Sequence, residues 1–186
     1  MISHLPMQMA TAWGDLRGSY RALMEGAPGE GRLFFIAVLS SLIYFAGTML
    51  SETAPAGEEG QAWVASHFLS AILWRPLMLY AVGATSCLIL RGFDGAGGWV
   101  ESRAAVFWAM LIAAPVLFLA QIATVAAHGT ALVIIQQIAA LIAAWVLAVM
   151  LAEAHGIARS WAVFAGLVGV ILVFLILIRG LFLLVT

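Results

Sequence analysis

Long uncharged stretches, separated by short charged or glycine-rich segments, dominate the chain. A helix that crosses a hydrocarbon core of about 30 Å needs about 20 residues at a rise of 1.5 Å per residue. By that measure the apolar stretches predict five spans, near residues 33–50, 66–90, 104–127, 131–152 and 160–184, of which the second contains Arg75 and the fifth Arg179. The stretch 104–152 contains no Asp, Glu, Lys or Arg, and its turn signal His128-Gly129-Thr130 predicts that it folds back once. We therefore predict an all-α, polytopic membrane helix bundle over residues 32–186.

A helical periodicity of a different kind precedes the first predicted span. Apolar residues recur at spacings of four, three, four and three, which aligns them on one face of a helix over 7–25; they are Met9, Trp13, Leu16, Tyr20 and Leu23. We predict that this amphipathic helix, within an N-terminal segment 1–31, lies in the membrane interface or against a partner. A helix that packs on the protein's own bundle would show the same pattern.

Composition supports the membrane interpretation and excludes several classes of function. The chain is 65% hydrophobic and 9% charged, with a mean hydropathy of +1.10, whereas soluble domains are about 45–50% apolar and about 25% charged. A formal net charge of −1 without a basic tract argues against a nucleic-acid partner. Cys87 is the sole cysteine, which excludes an intramolecular disulfide and a four-cysteine zinc site.

Arginines flank the predicted spans on one side only. That side carries Arg17, Arg21, Arg32, Arg91, Arg103 and Arg159, whereas the predicted loops at 51–65 and 128–130 contain no basic residue. Because basic residues are retained on the cytoplasmic side of membranes, we predict a cytoplasmic N-terminus and, with five spans, a C-terminus outside. All eight basic residues are Arg, a bias typical of GC-rich bacterial genomes, so a bacterial inner membrane is the expected location.

Arg75 interrupts the second predicted span. An ionised side chain within a bilayer costs about 2.5–3.5 kcal/mol on insertion scales and usually acquires a partner or water. Counted from the outer ends of their spans, Arg75, Gln121 and Gln136 lie about 13, 9 and 8 Å deep at 1.5 Å per residue. We therefore predict that these three side chains form a buried polar cluster that binds a ligand or a partner.

Pro76 follows Arg75 directly and bears on the same cluster. A proline has no backbone N–H, so the carbonyl of Ile72 would be free to accept a hydrogen bond from the guanidinium or from a glutamine. A kink at residues 74–76 would follow. Alternatively, residues 62–74 run along the outer surface and Arg75 reaches the interface without a partner.

Small residues form a stripe along the fourth predicted span. They follow a four-residue repeat and are Ala140, Ala144, Ala148 and Ala152. Such a stripe lets another helix approach closely, so we predict that it packs within the bundle, with self-association as the alternative.

Catalytic and metal-binding patterns are not evident in the sequence. The four histidines, His4, His67, His128 and His155, fall in separate segments without ligand spacing, so no metal site is predicted. We expect no Ser or Cys nucleophile with a nearby base. The glycine-rich segment 91–99 lacks the Lys-Ser/Thr pair of phosphate-binding loops and is interpreted as a turn. We expect neither a catalytic residue nor a cofactor.

One segment carries a family resemblance. Gly97-Gly98-Trp99-Val100-Glu101-Ser102-Arg103-Ala104 leads into a span with a central Pro115, and Trp145 and the turn from Glu153 to Ser160 follow. Over roughly residues 25–184 this layout resembles a bacterial member of the Yip-domain family, the Ypt/Rab-interacting membrane proteins. The resemblance implies five membrane helices and a non-enzymatic role. Its eukaryotic members bind small GTPases and one another, mostly through a long cytoplasmic region, of which only about thirty residues are present here.

Three functions follow from these observations. The first is a non-catalytic integral membrane protein that binds or organises other membrane proteins, or the bilayer itself. The alternatives are an accessory subunit of a larger inner-membrane complex and a small permease or lipid-moving protein that uses the cluster around Arg75. The expected partners are membrane lipids and other membrane proteins or a second copy of the chain.

Overall fold

Every element of the described chain is a helix. The computed structural model describes residues 5–126 and 129–185. The helices are α1 (Leu5–Ala12), α2 (Leu16–Glu25), α3 (Glu30–Ser51), α4 (Glu58–Leu69), α5 (Arg75–Arg91), α6 (Trp99–Ala126), α7 (Thr130–Ala154) and α8 (Ser160–Val185). The predicted end of the third span at Ala127 and the turn residue His128 lie outside the described residues. The prediction of an all-α fold is confirmed.

Four helical segments are long and apolar enough to cross a membrane. They are α3, the continuous segment from Glu58 to Arg91, α6 and α7. The second of them begins at Glu58, not at the predicted residue 66. Gly57, with φ of +70°, closes the preceding loop, and Glu58 and Glu59 occupy the first helical turn. Acidic side chains stabilise the positive end of a helix dipole, so charges that suggested a loop in fact begin a helix.

A π-helical turn, Ser70–Trp74, joins α4 to α5 without a break. Pro76 cannot donate a backbone hydrogen bond, which would leave one carbonyl of a regular α-helix without a donor. The wider turn changes the pairing just before the proline: the Arg75 N–H donates to the Ser70 carbonyl, five residues earlier. Pro76 itself is fully buried. The segment therefore continues as a helix through the position where a kink was predicted.

Helix α6 is the centre of the bundle. It packs against α3, α5 and α7, and its N-terminal half also contacts α1 and α2. Buried alanines allow this close approach of several helices; they are Ala104, Ala105, Ala109, Ala113 and Ala114. Between them Phe107, Leu111 and Ile112 are fully buried and fill the core. Helix α8 lies at the periphery and packs on α7.

The single N-terminal helix predicted over 7–25 is wrong, because the segment forms two helices. Asp15 caps the start of α2, where its Oδ1 accepts a hydrogen bond from the Gly18 N–H at 2.8 Å. Aspartate at this position satisfies a backbone donor that the first helical turn leaves free. The apolar spacing continues through the break and so conceals it.

The apolar face of this segment is turned toward the protein's own bundle. Tyr20 and Leu23 are buried in the core, and the Tyr20 hydroxyl donates to the Glu101 carbonyl at 3.0 Å. Met9 and Leu16 are half-buried, while Trp13 is 43% exposed. Of the five residues predicted to face a membrane or a partner, Tyr20 and Leu23 are therefore not available for it.

Arg17 fastens α2 to the connection between α7 and α8. Its Nη1 lies 3.0 Å from Glu153 Oε2, and its Nη2 donates to the carbonyls of Ile157 and Ala158 and to Ser160 Oγ. Arg21 adds a longer contact to Glu153, at 3.5 Å. A ten-residue helix is marginal by itself in water, so these contacts and the buried face hold it in place.

Replacing Arg17 by Met should loosen α2. The ion pair is partly exposed, so we expect a loss of about 1 kcal/mol, equivalent to about fivefold faster amide hydrogen exchange over residues 16–25. Hydrogen exchange of the protein in lipid nanodiscs measures this. Arg21→Met is the matched control and should change exchange little, because 60% of that side chain is exposed. Equal exchange in both variants would contradict the role given to Arg17.

Candidate functional site

Six of the eight arginines lie at one end of the bundle, here called the arginine-rich end. It contains Arg17, Arg21, Arg32, Arg91, Arg103 and Arg159, at the ends of helices or between them. The opposite end carries Glu52, Glu58 and Glu59. Basic residues are thus concentrated at one end of the bundle, where acidic residues such as Glu30 and Glu153 accompany them.

Polar contacts at the arginine-rich end join the central helices. Arg103 Nη2 of α6 lies 3.2 Å from Glu30 Oε2 of α3. The Tyr80 hydroxyl of α5 donates a short hydrogen bond to Glu30 Oε1, and the Arg103 guanidinium lies over the Tyr80 ring. One carboxylate therefore connects three helices.

A buried Ser–His pair lies at the same end. Ser102 Oγ is 2.8 Å from His155 Nε2, so the expectation that no Ser lies near a base was wrong. The Ser102 hydroxyl also donates to the Gly98 carbonyl at 3.0 Å, which makes His155 Nε2 the donor to Ser102 Oγ. Ser102 is 0% and His155 2% exposed. A substrate has no access to this pair, and its evident role is to hold α6 to the end of α7.

Glycines allow the 92–98 segment to pack directly on His155. The Ala96 N–H donates to the His155 carbonyl at 3.1 Å. A methyl group on Gly95 would lie 2.7 Å from His155 Nδ1, and one on Gly97 would collide with the Ala154 carbonyl. The segment predicted as a turn therefore closes the arginine-rich end over His155.

Arg75 stacks on an aromatic ring. Its Cζ lies 3.4 Å from the centroid of the Tyr44 ring of α3, an arrangement that stabilises a desolvated cation by up to about 2 kcal/mol. Among the described residues, the three ion pairs do not involve Arg75. The guanidinium therefore has a partner for its charge but not for its hydrogen-bond donors.

The two glutamines of the predicted cluster are not placed alike. Gln121 lies against Gly47, one turn along α3 from Tyr44; a methyl group on Gly47 would collide with Gln121 Oε1. That oxygen is buried and has no hydrogen-bond partner in the described part of the chain. Gln136 is exposed on α7, which packs on α2, α6 and α8. The fold thus brings Arg75 and Gln121 to α3 and leaves Gln136 on the outer surface of α7.

A cavity of about 140 Å³ lies beside Arg75. Its walls come from α3, α5 and α6 and consist of Ser40, Ser41, Tyr44, Arg75, Met78, Leu79, Met110, Ala114 and Leu117. The Ser40 and Ser41 hydroxyls both donate to the Ala37 carbonyl, at 2.8 and 2.9 Å. Gln121 is not part of the wall. Arg75 therefore supplies the charge and most of the free donors of this cavity.

The alanine stripe of α7 is covered over only half its length. Ala148 and Ala152 are buried, near the end where α2 packs on α7. Toward the opposite end Ala144 is half-buried and Ala140 is exposed. The predicted packing role fits the first two alanines, and the other two lie on an uncovered surface.

Gln137 occupies the middle of that uncovered surface. At about 100° per residue it lies roughly opposite the buried Ala139 and Val146. We call the surface around it the open face of α7; it consists of Val133, Gln137, Ala140, Leu141 and Ala144. Depth within the predicted span points to Gln136 and does not distinguish Gln137, because the packing of α7 on its neighbours, and not the sequence, defines which side of α7 is buried.

Burial lowers the pKa of His155 below its usual value, and the nearby Arg91 charge lowers it further, against weaker opposing effects of Glu101 and Gly95. The unfolded chain then binds more protons than the folded chain below about pH 6.5. We expect the free energy of unfolding to fall as the pH falls from about 6.5 through the lowered pKa, and then to level off. Thermal unfolding in detergent between pH 4.5 and 8 measures this.

His155→Gln should flatten the pH dependence at the cost of some stability, since glutamine does not titrate. His67→Gln, which changes a histidine of α4, is the matched control and should keep the slope. An unchanged slope in His155→Gln would refute the assignment.

Among the described residues, no group of three or more His, Cys, Asp or Glu side chains comes together as a metal site would require. His4 and His128 lie outside those residues. Comparison of the chain with protein-family models, with curated proteins and with solved structures gives no match. The Yip-domain resemblance therefore stays a prediction from the sequence, and function has to be argued from the geometry.

Proposed function

We propose that the chain is a non-catalytic integral membrane protein that binds another transmembrane helix through the open face of α7. Gln137 carries the proposal. In a spanning helix its exposed amide faces hydrocarbon, where neither its donor nor its acceptor finds a hydrogen bond. Glutamine side chains associate membrane helices by hydrogen bonding across the contact, worth about 0.6–2 kcal/mol each. A partner helix can form hydrogen bonds with the Gln137 amide, whereas lipid chains cannot.

The surroundings of Gln137 suit a helix as the partner. Ala140 and Ala144 let a second backbone approach closely, and Val133 and Leu141, 55% and 49% exposed, supply apolar contact on either side. α2 covers the same helix nearer the arginine-rich end. The partner would therefore occupy a part of α7 that α2 leaves uncovered.

The proposal includes the topology of the protein. α8 forms a fifth span, because it is a continuous helix of 26 residues. With Arg residues gathered at one end, the N-terminus is cytoplasmic, the C-terminus is outside, and a bacterial inner membrane is the location. Membership in the Yip-domain family is part of the proposal, since its five helices and non-enzymatic partner binding agree with these features. An accessory subunit of a larger complex would use the same face of α7.

Replacing Gln137 by Leu should weaken partner binding. Loss of about 0.6–2 kcal/mol corresponds to about 3- to 30-fold less partner recovered. The measurement is gentle affinity purification from native membranes, with mass spectrometry of proteins that co-elute in stoichiometric amount. A homo-oligomer is detected with two differently tagged copies of the chain.

Gln136→Leu is the matched control for this experiment. Gln136 is the same residue type at the rim of the exposed surface, about 100° from Gln137. We expect its replacement to leave recovery nearly unchanged. Recovery that falls equally in both variants, or in neither, would refute the open face as the binding surface.

The topology can be tested with single cysteines in a Cys87→Ala background. Cysteine in place of Ala56 and of Thr130, both exposed, should react with a membrane-impermeant maleimide added from outside the cell. Cysteine in place of Phe93, 75% exposed at the arginine-rich end, should react only after the membrane is opened. Labelling in the reverse pattern would show that the orientation is inverted.

A further inference from the structure

The Arg75 guanidinium keeps its hydrogen-bond donors free. It has five N–H groups that point outward in the plane of the group. The Tyr44 ring lies over its face and takes none of them. Its nitrogens are not among the fully buried atoms without a partner, in contrast to Arg103 Nε, and Arg75 lines the adjacent cavity. Arg75 is about 24 Å along the helix from Arg91, well within the thickness of a bilayer core.

The polar groups of the cavity select an anion. Ser40 and Ser41 have used their hydrogens on the Ala37 carbonyl, and Arg75 supplies the positive charge. The acceptor that fits a planar guanidinium is a carboxylate or phosphate, which takes two parallel N–H bonds. A cation would be repelled, and a neutral apolar group would leave the donors unmatched.

The remaining walls indicate that the anion belongs to an amphiphile. Met78, Leu79, Met110 and Leu117 line the cavity, and Met78 is 39% exposed on the outer surface of the bundle. Trp74, next to Arg75, is 58% exposed. The cavity therefore opens sideways, onto a surface that faces lipid in a spanning protein.

The size of the cavity limits what enters it. Pockets that enclose whole small molecules measure about 300–1,000 Å³, whereas this cavity measures about 140 Å³. It has room for a carboxylate or phosphate group and a short part of the chain attached to it. An acyl chain would continue through the opening and along α5 into the bilayer.

We infer that the Arg75 cavity binds the anionic headgroup of a membrane amphiphile, with its carboxylate or phosphate on the guanidinium and its acyl chain toward Met78. The site is formed by α3, α5 and α6 and is separate from the open face of α7. It gives the chain a lipid-binding role that does not depend on a protein partner.

Native mass spectrometry of the full chain released from detergent tests the inference. The probes are oleate and phosphatidylglycerol. Oleyl alcohol, which has the chain but no charge, and acetate, which has the charge but no chain, are the matched controls. We expect one oleate or one phosphatidylglycerol per chain, at least tenfold weaker retention of oleyl alcohol, and no competition by acetate. The inference would be overturned if neither anionic lipid bound to the chain, or if acetate competed as effectively as oleate.

Two variants assign binding to the cavity. Arg75→Gln removes the charge, and Ala114→Leu fills the cavity while Arg75 is kept; each should reduce oleate binding at least tenfold. Arg179→Gln removes an equal charge from α8 and should have no effect. Equal binding in Arg75→Gln and Arg179→Gln would overturn the inference. Where Arg75→Gln fails to fold, undiminished binding in Ala114→Leu overturns it as well.

Discussion

A polar group in hydrocarbon needs a hydrogen-bond partner from protein, because lipid chains supply none. The two halves of this bundle differ in how far their own residues supply such partners. The backbone groups are paired within long helices, and the π-helical turn keeps this pairing as far as the residue directly before Pro76. At the arginine-rich end side-chain contacts link the helices, while Arg103 Nε and His155 Nδ1 have no hydrogen-bond partner among the described residues. Glu30 joins three helices, and Ser102 holds His155. These contacts lie around α6, whose alanines bring the other helices close. This half of the molecule is therefore a closed scaffold.

In the other half, Arg75 and Gln137 have no side-chain hydrogen-bond partner among the described residues. Arg75 rests on the Tyr44 ring with its donors free, and Gln137 faces outward from an apolar helix. Such groups are costly in a membrane and are usually retained for function. Their surroundings differ, since Arg75 borders a small cavity and Gln137 an open helix face with alanines beside it. The cavity suits a headgroup, whereas the open face suits a helix.

The apolar runs were sufficient to predict a helical membrane bundle, because the length of a span and the absence of charge within it are properties of local sequence. The charges of Glu58 and Glu59 predicted a loop, but these residues begin a helix. The apolar spacing over 7–25 is continuous and so did not indicate the helix cap at Asp15. The Ser102–His155 contact joins residues 53 positions apart, so no spacing rule detects it. Gln136 was assigned to the cluster by its depth alone: depth is readable from residue number, but the direction of a side chain depends on which neighbour covers the helix. Arg75 was recognisable from its charge alone, and its partner Tyr44 was not.

The central claim is that a protein, and not lipid, covers the open face of α7. A benzophenone amino acid placed at Leu141, which is 49% exposed on the open face, leaves Gln137 in place; irradiated in native membranes, it tests the claim most directly, with the same probe in place of Leu88 of α5, which is 61% exposed, as the reference. The account predicts a discrete protein adduct from position 141 and none from position 88. Adducts with lipid alone at position 141 would contradict it.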